Sequence, residues 1–177
     1  MKKYLFIIIF GLFVSTLSIA QMPTPPQPNG NITNPTLDKF VGTWLWTNGV
    51  VTLKIILKKE NILLPFPENS RADAIVGFHI FKQGNNIIES SMGYIHTNHN
   101  DKYYSILGGN SGVGFDNPNE IGCSIRNIAK NKSGELTLII NSSLDKLVWT
   151  LKNYEGVKIG PYDYSFSYPR TFVLIRQ

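Results

Sequence analysis

Residues 37–49 read LDKFVGTWLWTNG, and this stretch decides the fold. Asn48-Gly49 is a strong short-range hairpin signal, because both residues tolerate the positive φ that a tight turn between twisted strands needs. Beyond it, Val51, Leu53, Ile55 and Leu57 share one face while Thr52, Lys54 and Lys58 take the other. That period of two marks a strand with one apolar and one wet face. Ahead of the turn, Gly42 and two tryptophans share one short strand. Glycine lets a strand bend sharply, and an indole two residues on is large enough to seal the space beneath the bend.

The same alternation recurs along the chain. Leu136, Leu138 and Ile140 alternate with Glu135, Thr137 and Asn141; Leu147, Trp149 and Leu151 alternate with Lys146, Thr150 and Lys152. Strands are predicted over 40–47, 50–59, 74–82, 87–96, 103–108, 121–129, 135–142, 146–154 and 171–176. Turn residues at Gly84-Asn85-Asn86 and Lys132-Ser133-Gly134 separate them, and longer loops fall at 61–73 and 155–170. No window carries a helical stripe. The domain reads as all-β, with adjacent strands antiparallel, and periodicity alone leaves both a barrel and a sandwich open.

FVGTWLW resembles the first strand of the calycin superfamily, the lipocalins and fatty-acid-binding proteins, which opens with Gly-x-Trp; here that is Gly42-Thr43-Trp44. The resemblance implies an antiparallel up-and-down calycin-like β-barrel of about 8–10 strands across residues 37–177, closed by pairing of the first and last strands. It also implies that a basic residue of the closing segment RTFVLIRQ, Arg170 or Arg176, packs over Trp44, a contact worth ~0.5–2 kcal/mol. Departures are clear. The two helices that fatty-acid-binding proteins insert after strand one are missing, their Arg-x-Tyr has only Arg170-Thr171-Phe172 as counterpart, and no helix follows the last strand. The order of LDKFVGTW, TNG, a Leu-x-Ile-x-Leu-Lys-Lys strand, WTLKN and VLIRQ is also similar to a family of small secreted proteins of unknown function from flavobacteria and relatives.

The N-terminus sets the compartment. Lys2-Lys3, an apolar run over 4–19 and Ser18-Ile19-Ala20 read as a secretory signal peptide, residues 1–20, cut between Ala20 and Gln21. The competing reading is a membrane anchor, for which the run is slightly short at roughly 17 residues or fewer. With no cysteine after the cut, a lipid anchor is not expected, and the product is expected to be secreted or periplasmic. Cleavage leaves 157 residues and lowers the net charge from +5 to +3. That excess is spread out and makes no nucleic-acid patch. Residues 21–36, with five prolines and no charge, read as a flexible spacer. Cys123, the one cysteine, rules out an internal disulfide and shares a strand face with Ile121 and Ile125.

Three stretches invite chemistry. GGNSGVG (108–114) resembles the nucleophile loop of trypsin-like proteases, but none of His79, His96 and His99 sits in that family's histidine motif, and positive-φ loop glycines explain it as well. HTNHND (96–101) offers His96, His99 and Asp101 to a zinc ion, or is a loop of ordinary turn formers. Tyr103-Tyr104 and PYDYSFSYPR could stack on a sugar, grip a partner, or plug a barrel mouth. No cofactor, metal or catalytic residue is assigned. The expected function is a non-enzymatic barrel holding a small apolar or amphipathic ligand, lined by Trp149 and Phe78 with Arg170 at the entrance. The alternative is a solid-cored structural or protein-interaction module that uses the 155–170 aromatic loop, with an enzyme a distant third.

Overall fold

The computed structural model describes residues 27–109, 117–156 and 160–177. Ten strands follow in order: β1 (Asn31–Ile32), β2 (Gly42–Asn48), β3 (Val51–Leu63), β4 (Arg71–Gln83), β5 (Asn86–Ser90), β6 (Ile106–Gly109), β7 (Glu120–Asn127), β8 (Lys132–Ile140), β9 (Lys146–Asn153) and β10 (Thr171–Arg176). The sheet runs β4-β3-β2-β10-β9-β8-β7-β6 and returns to β4, so eight antiparallel strands close into a barrel. First and last strands are neighbours, with Leu45 opposite Ile175 and Trp44 opposite Arg176. The up-and-down barrel expected from alternation and the Gly-x-Trp opening is the observed architecture.

Strand ends follow the turn chemistry. β3 and β4 run further than expected and pair from Val51 opposite Gln83 to Leu63 opposite Arg71, shrinking the 61–73 loop. The strand expected over 87–96 stops at Ser90, where a short 3-10 helix (Met92–Tyr94) begins. Residues 1–26, the expected signal peptide and the start of the expected spacer, lie outside the described residues. The rest of that spacer is docked rather than free: β1 pairs in parallel with Arg71 and Ala72, and Pro35 opens a 3-10 helix (Pro35–Phe40) whose Leu37 and Phe40 are completely buried, as expected of the folded domain. The Asn34 N–H donates to Asp73 at 2.9 Å, while Asn61 and Asn34 together hold the Asp73 carboxyl below its ordinary pKa. Pro35 cannot donate a backbone bond, but at a helix start it does not have to.

Alternation places one face of each of the eight barrel strands inside. Trp44 with Ile55, Leu136 with Leu151, Trp149 with Phe172, and Leu147 with Leu174 are opposed pairs of a single core. At one end, the Trp44 indole N–H donates to the Phe40 carbonyl at 2.9 Å. The Arg176 guanidinium lies 4.2 Å from the Trp44 ring centroid and donates to the carbonyls of Val41 at 2.8 Å and Leu144 at 2.6 Å. Gly42 makes room for it: its φ is +138°, and a Cβ there would lie 3.0 Å from an Arg176 nitrogen. Of the two arginines offered for this role, Arg176 fills it.

At the other end Trp149 stacks on Phe172 (centroids 5.3 Å) and meets Tyr168 edge-on (5.7 Å), while Phe172 lies 4.7 Å from Trp46. Eight strands enclose a space just wide enough for side chains to fill, and these rings fill it. Phe78, expected to line the interior, is instead on the opposite face of β4. It is fully buried beneath residues that leave the sheet after β5, with the Lys58 ammonium 5.1 Å from its ring. Register is the reason: Phe78 pairs with Ile56, whereas the inward positions are Ile75, Gly77, His79 and Phe81.

Candidate functional site

Two strands share one edge of β4. β6 pairs with Ile75–Gly77 and β5 with Ile80–Gln83, both antiparallel to it, so β5 and β6 are two halves of one strand interrupted by an excursion over residues 91–105. The break falls opposite His79 and is closed by serines. The His79 N–H donates to Ser91 Oγ (2.9 Å) and the Ser91 N–H to the His79 carbonyl (2.8 Å). Below, the Ser105 N–H donates to the Gly77 carbonyl (2.9 Å), and the two serine Oγ atoms are 2.9 Å apart.

Inside the break lies a buried polar chain. His79 Nδ1 is 2.7 Å from Ser105 Oγ, and Nε2 is 2.7 Å from Glu89 Oε1. The Glu89 carboxylate also accepts from Asn127 Nδ2 (3.1 and 3.0 Å) and from the Ala129 N–H (2.9 Å). With those donors on the carboxylate, Nε2 is its third donor, and Nδ1 is hydrogen-bonded to the Ser105 hydroxyl. Glu89 thereby bridges β5 to the end of β7, replacing a ladder these strands do not form.

Serine, histidine and glutamate bonded in sequence are also the elements of a hydrolytic triad. Here their exposures are 2%, 0% and 4%, and Ser105 Oγ already lies against Ser91. A nucleophile needs open space beside it for the reacting carbonyl, so the arrangement reads as structural closure of the wall.

The segment after β9 folds over this end. Tyr168 meets His79 and Phe81 edge-on, and its hydroxyl ends beside Glu89 and Asn127; burial, then the Glu89 charge, raises its pKa well above the ordinary tyrosine value. Lys132 lies 4.1 Å from the Phe166 centroid, and Lys130 pairs with Asp163 at 2.7 Å, clamping the segment onto β8 and the turn before it. Phe166 and Tyr168 thus form the plug that the sequence left in balance with a binding surface, while Tyr164 remains exposed. Arg170 is not at a ligand entrance: its Nη2 donates to the Tyr164 carbonyl at 2.8 Å and braces the same segment. Trp149 is inside, as expected, but its rings' neighbours are the protein's own.

The chain matches a family of unknown function (DUF6705) over residues 1–177. It belongs to that family. No curated protein and no solved structure matches it. Family membership therefore brings no activity, and the remaining DUF6705 features stand on geometry.

The 91–105 excursion is braced on the outer face of β3 and β4. Lys58 Nζ donates to the carbonyls of Ile95 (3.0 Å) and Thr97 (2.8 Å), and the His99 N–H donates to Glu60 Oε2 (2.7 Å). Asn98 and Asp101 cap the short helix His99–Asp101 reciprocally, as turn formers do. Asp101 is thus occupied and His96 is exposed; among the described residues no group of three such ligands could hold a metal ion. Between the excursion and the β3–β4 hairpin lies a pocket of about 200 Å³ lined by Glu60, Asn61, Ile62, Arg71, Asn98, His99 and Asn100. Ser111 of the GGNSGVG stretch lies outside the described residues. Gly108, at its start, is needed for packing, because a Cβ there would lie 2.5 Å from Cys123 Sγ. Burial pushes the Cys123 thiol up to about 12, so it is an inert thiol at neutral pH.

Glu89 was not singled out from sequence. Its inward position, opposite Phe81, is set by the long-range pairing of β5 with β4, which NNIIESS alone does not reveal.

Proposed function

We propose that this protein is an exported, non-enzymatic, solid-cored barrel that acts through its surface. One observation carries the reading: the positions that would line a ligand cavity are occupied by rings in contact with one another, Trp149 with Phe172 and Tyr168. That favours the packed module over a barrel holding an apolar ligand, since such sites need apolar walls around an open volume. An apolar probe should therefore find no interior site, as a fluorescence titration can measure.

Export is supported by Lys2-Lys3, the apolar run and Ala20. Mass spectrometry of the protein recovered outside the cytoplasm should find a chain beginning at Gln21. A chain retaining residues 1–20 in the membrane would favour the anchor instead.

A further inference from the structure

We propose that the pocket between the 91–105 excursion and the β3–β4 hairpin, together with tyrosines carried by the same excursion, binds a neutral sugar residue of a glycan. This deepens the surface-acting reading and rests on it. Three observations converge.

The pocket's size, about 200 Å³, suits one small ring, and its lining is almost wholly polar. Asn61, Asn98 and Asn100 bring amides, Arg71 a guanidinium, Glu60 a carboxylate and His99 an imidazole. Planar groups of this kind match vicinal hydroxyls, each of which donates and accepts at once. A carboxylate and a guanidinium on the same pocket disfavour both a phosphate-like anion and a simple cation.

The groups are held in place before any ligand arrives. Arg71 Nε donates to Asn61 Oδ1 at 2.7 Å, and its Nη2 to the Asn61 carbonyl, which leaves Nη1 available. The His99 ring stacks on Tyr104 (5.2 Å, 12° between planes). The exposed Asn100 side chain has no hydrogen-bond partner among the described residues, and His99 Nδ1, also without one, is buried beneath the surface. Preorganisation lowers the ordering cost that weakens small-ligand binding.

The excursion that forms one wall of the pocket also carries exposed aromatic faces. Tyr103, next to the ring that supports His99, stacks on Tyr94 at 4.4 Å and 13°, and the two are 47% and 46% exposed. Half-exposed tyrosines fixed against each other offer flat apolar faces to the C–H side of a sugar ring at little entropic cost.

The test is an NMR titration of the mature protein with glucose, galactose, mannose, N-acetylglucosamine, and β-1,4- and α-1,4-linked glucose hexasaccharides. Glycine and inorganic phosphate serve as zwitterionic and anionic controls. At least one neutral sugar should shift backbone amides of residues 60–62 and 98–104 saturably, and the controls should not. Asn100→Ala and Tyr103→Ala should each weaken that binding by ~10-fold or more, about the loss of one good contact, with the urea midpoint unchanged. Saturation by none of the sugars, shifts confined elsewhere, a stronger response to glycine or phosphate, or binding that ignores both substitutions would overturn the proposal. None of those results would touch the filled interior, which the apolar probe tests separately.

Discussion

Trp44→Ala is expected to destabilise the fold by ~3–5 kcal/mol, the range for truncating a large aromatic in a packed core. Three losses combine. The indole is completely buried, its N–H satisfies the Phe40 carbonyl, and its face is the surface against which Arg176 lies. Removing it leaves a cavity where β2, β10 and the Pro35–Phe40 helix converge. It also leaves the guanidinium packed over nothing. Since single domains are stable by only ~5–15 kcal/mol, the variant should unfold at a much lower urea concentration. A loss under ~1 kcal/mol would mean that Trp44 does not hold this end of the barrel.

The second large effect is expected at Glu89. Its carboxylate is the shared acceptor for His79 and Asn127, both inside the wall, and for the part-buried Ala129 amide. Glu89→Ala strands two donors, His79 Nε2 and Asn127 Nδ2, away from water, and breaking one side of a buried pair costs ~3–5 kcal/mol. The damage should be local first. Amides of β5 and of the 91–105 excursion should lose hydrogen-exchange protection before those of β8 and β9, because Glu89 is what joins β5 to β7. Glu89→Gln keeps the volume and one acceptor oxygen and should cost less. Equal stability of Glu89→Ala and the parent would show that the wall closes without this bridge.

Much of the fold was legible because its cause is local. Alternation at 51–57, 136–140 and 147–151 fixes which face is apolar, and Asn48-Gly49 fixes where the chain reverses. What stayed hidden depends on long-range pairing. No local signal shows that β5 and β6 share the edge of β4, so the strand expected over 87–96 ran past the break at Ser91. For the same reason His79 could not be assigned a side until register put it opposite Ile55. Phe78 was misplaced inward because a buried outer face carries the same apolar residues as an inner one, and only the covering excursion distinguishes them. Proline-rich composition suggested a free spacer over 21–36, yet within it Asn31–Ile32 find unpaired backbone on β4. Arg176 was readable as the cover of Trp44 because the closing strand must end beside the first. Arg170 lies at the far end of that strand.

The central claim is a barrel filled by its own side chains, and titration with a naturally fluorescent fatty acid tests it most directly. Trp149 is completely buried in the core and Trp44 lies at the other end, so any apolar ligand entering the barrel must come within energy-transfer range of an indole. The filled barrel predicts no saturable rise in probe emission on tryptophan excitation, up to the probe's solubility limit. A saturable one-to-one isotherm, with matching quenching of tryptophan emission, would contradict it and assign the interior to a ligand.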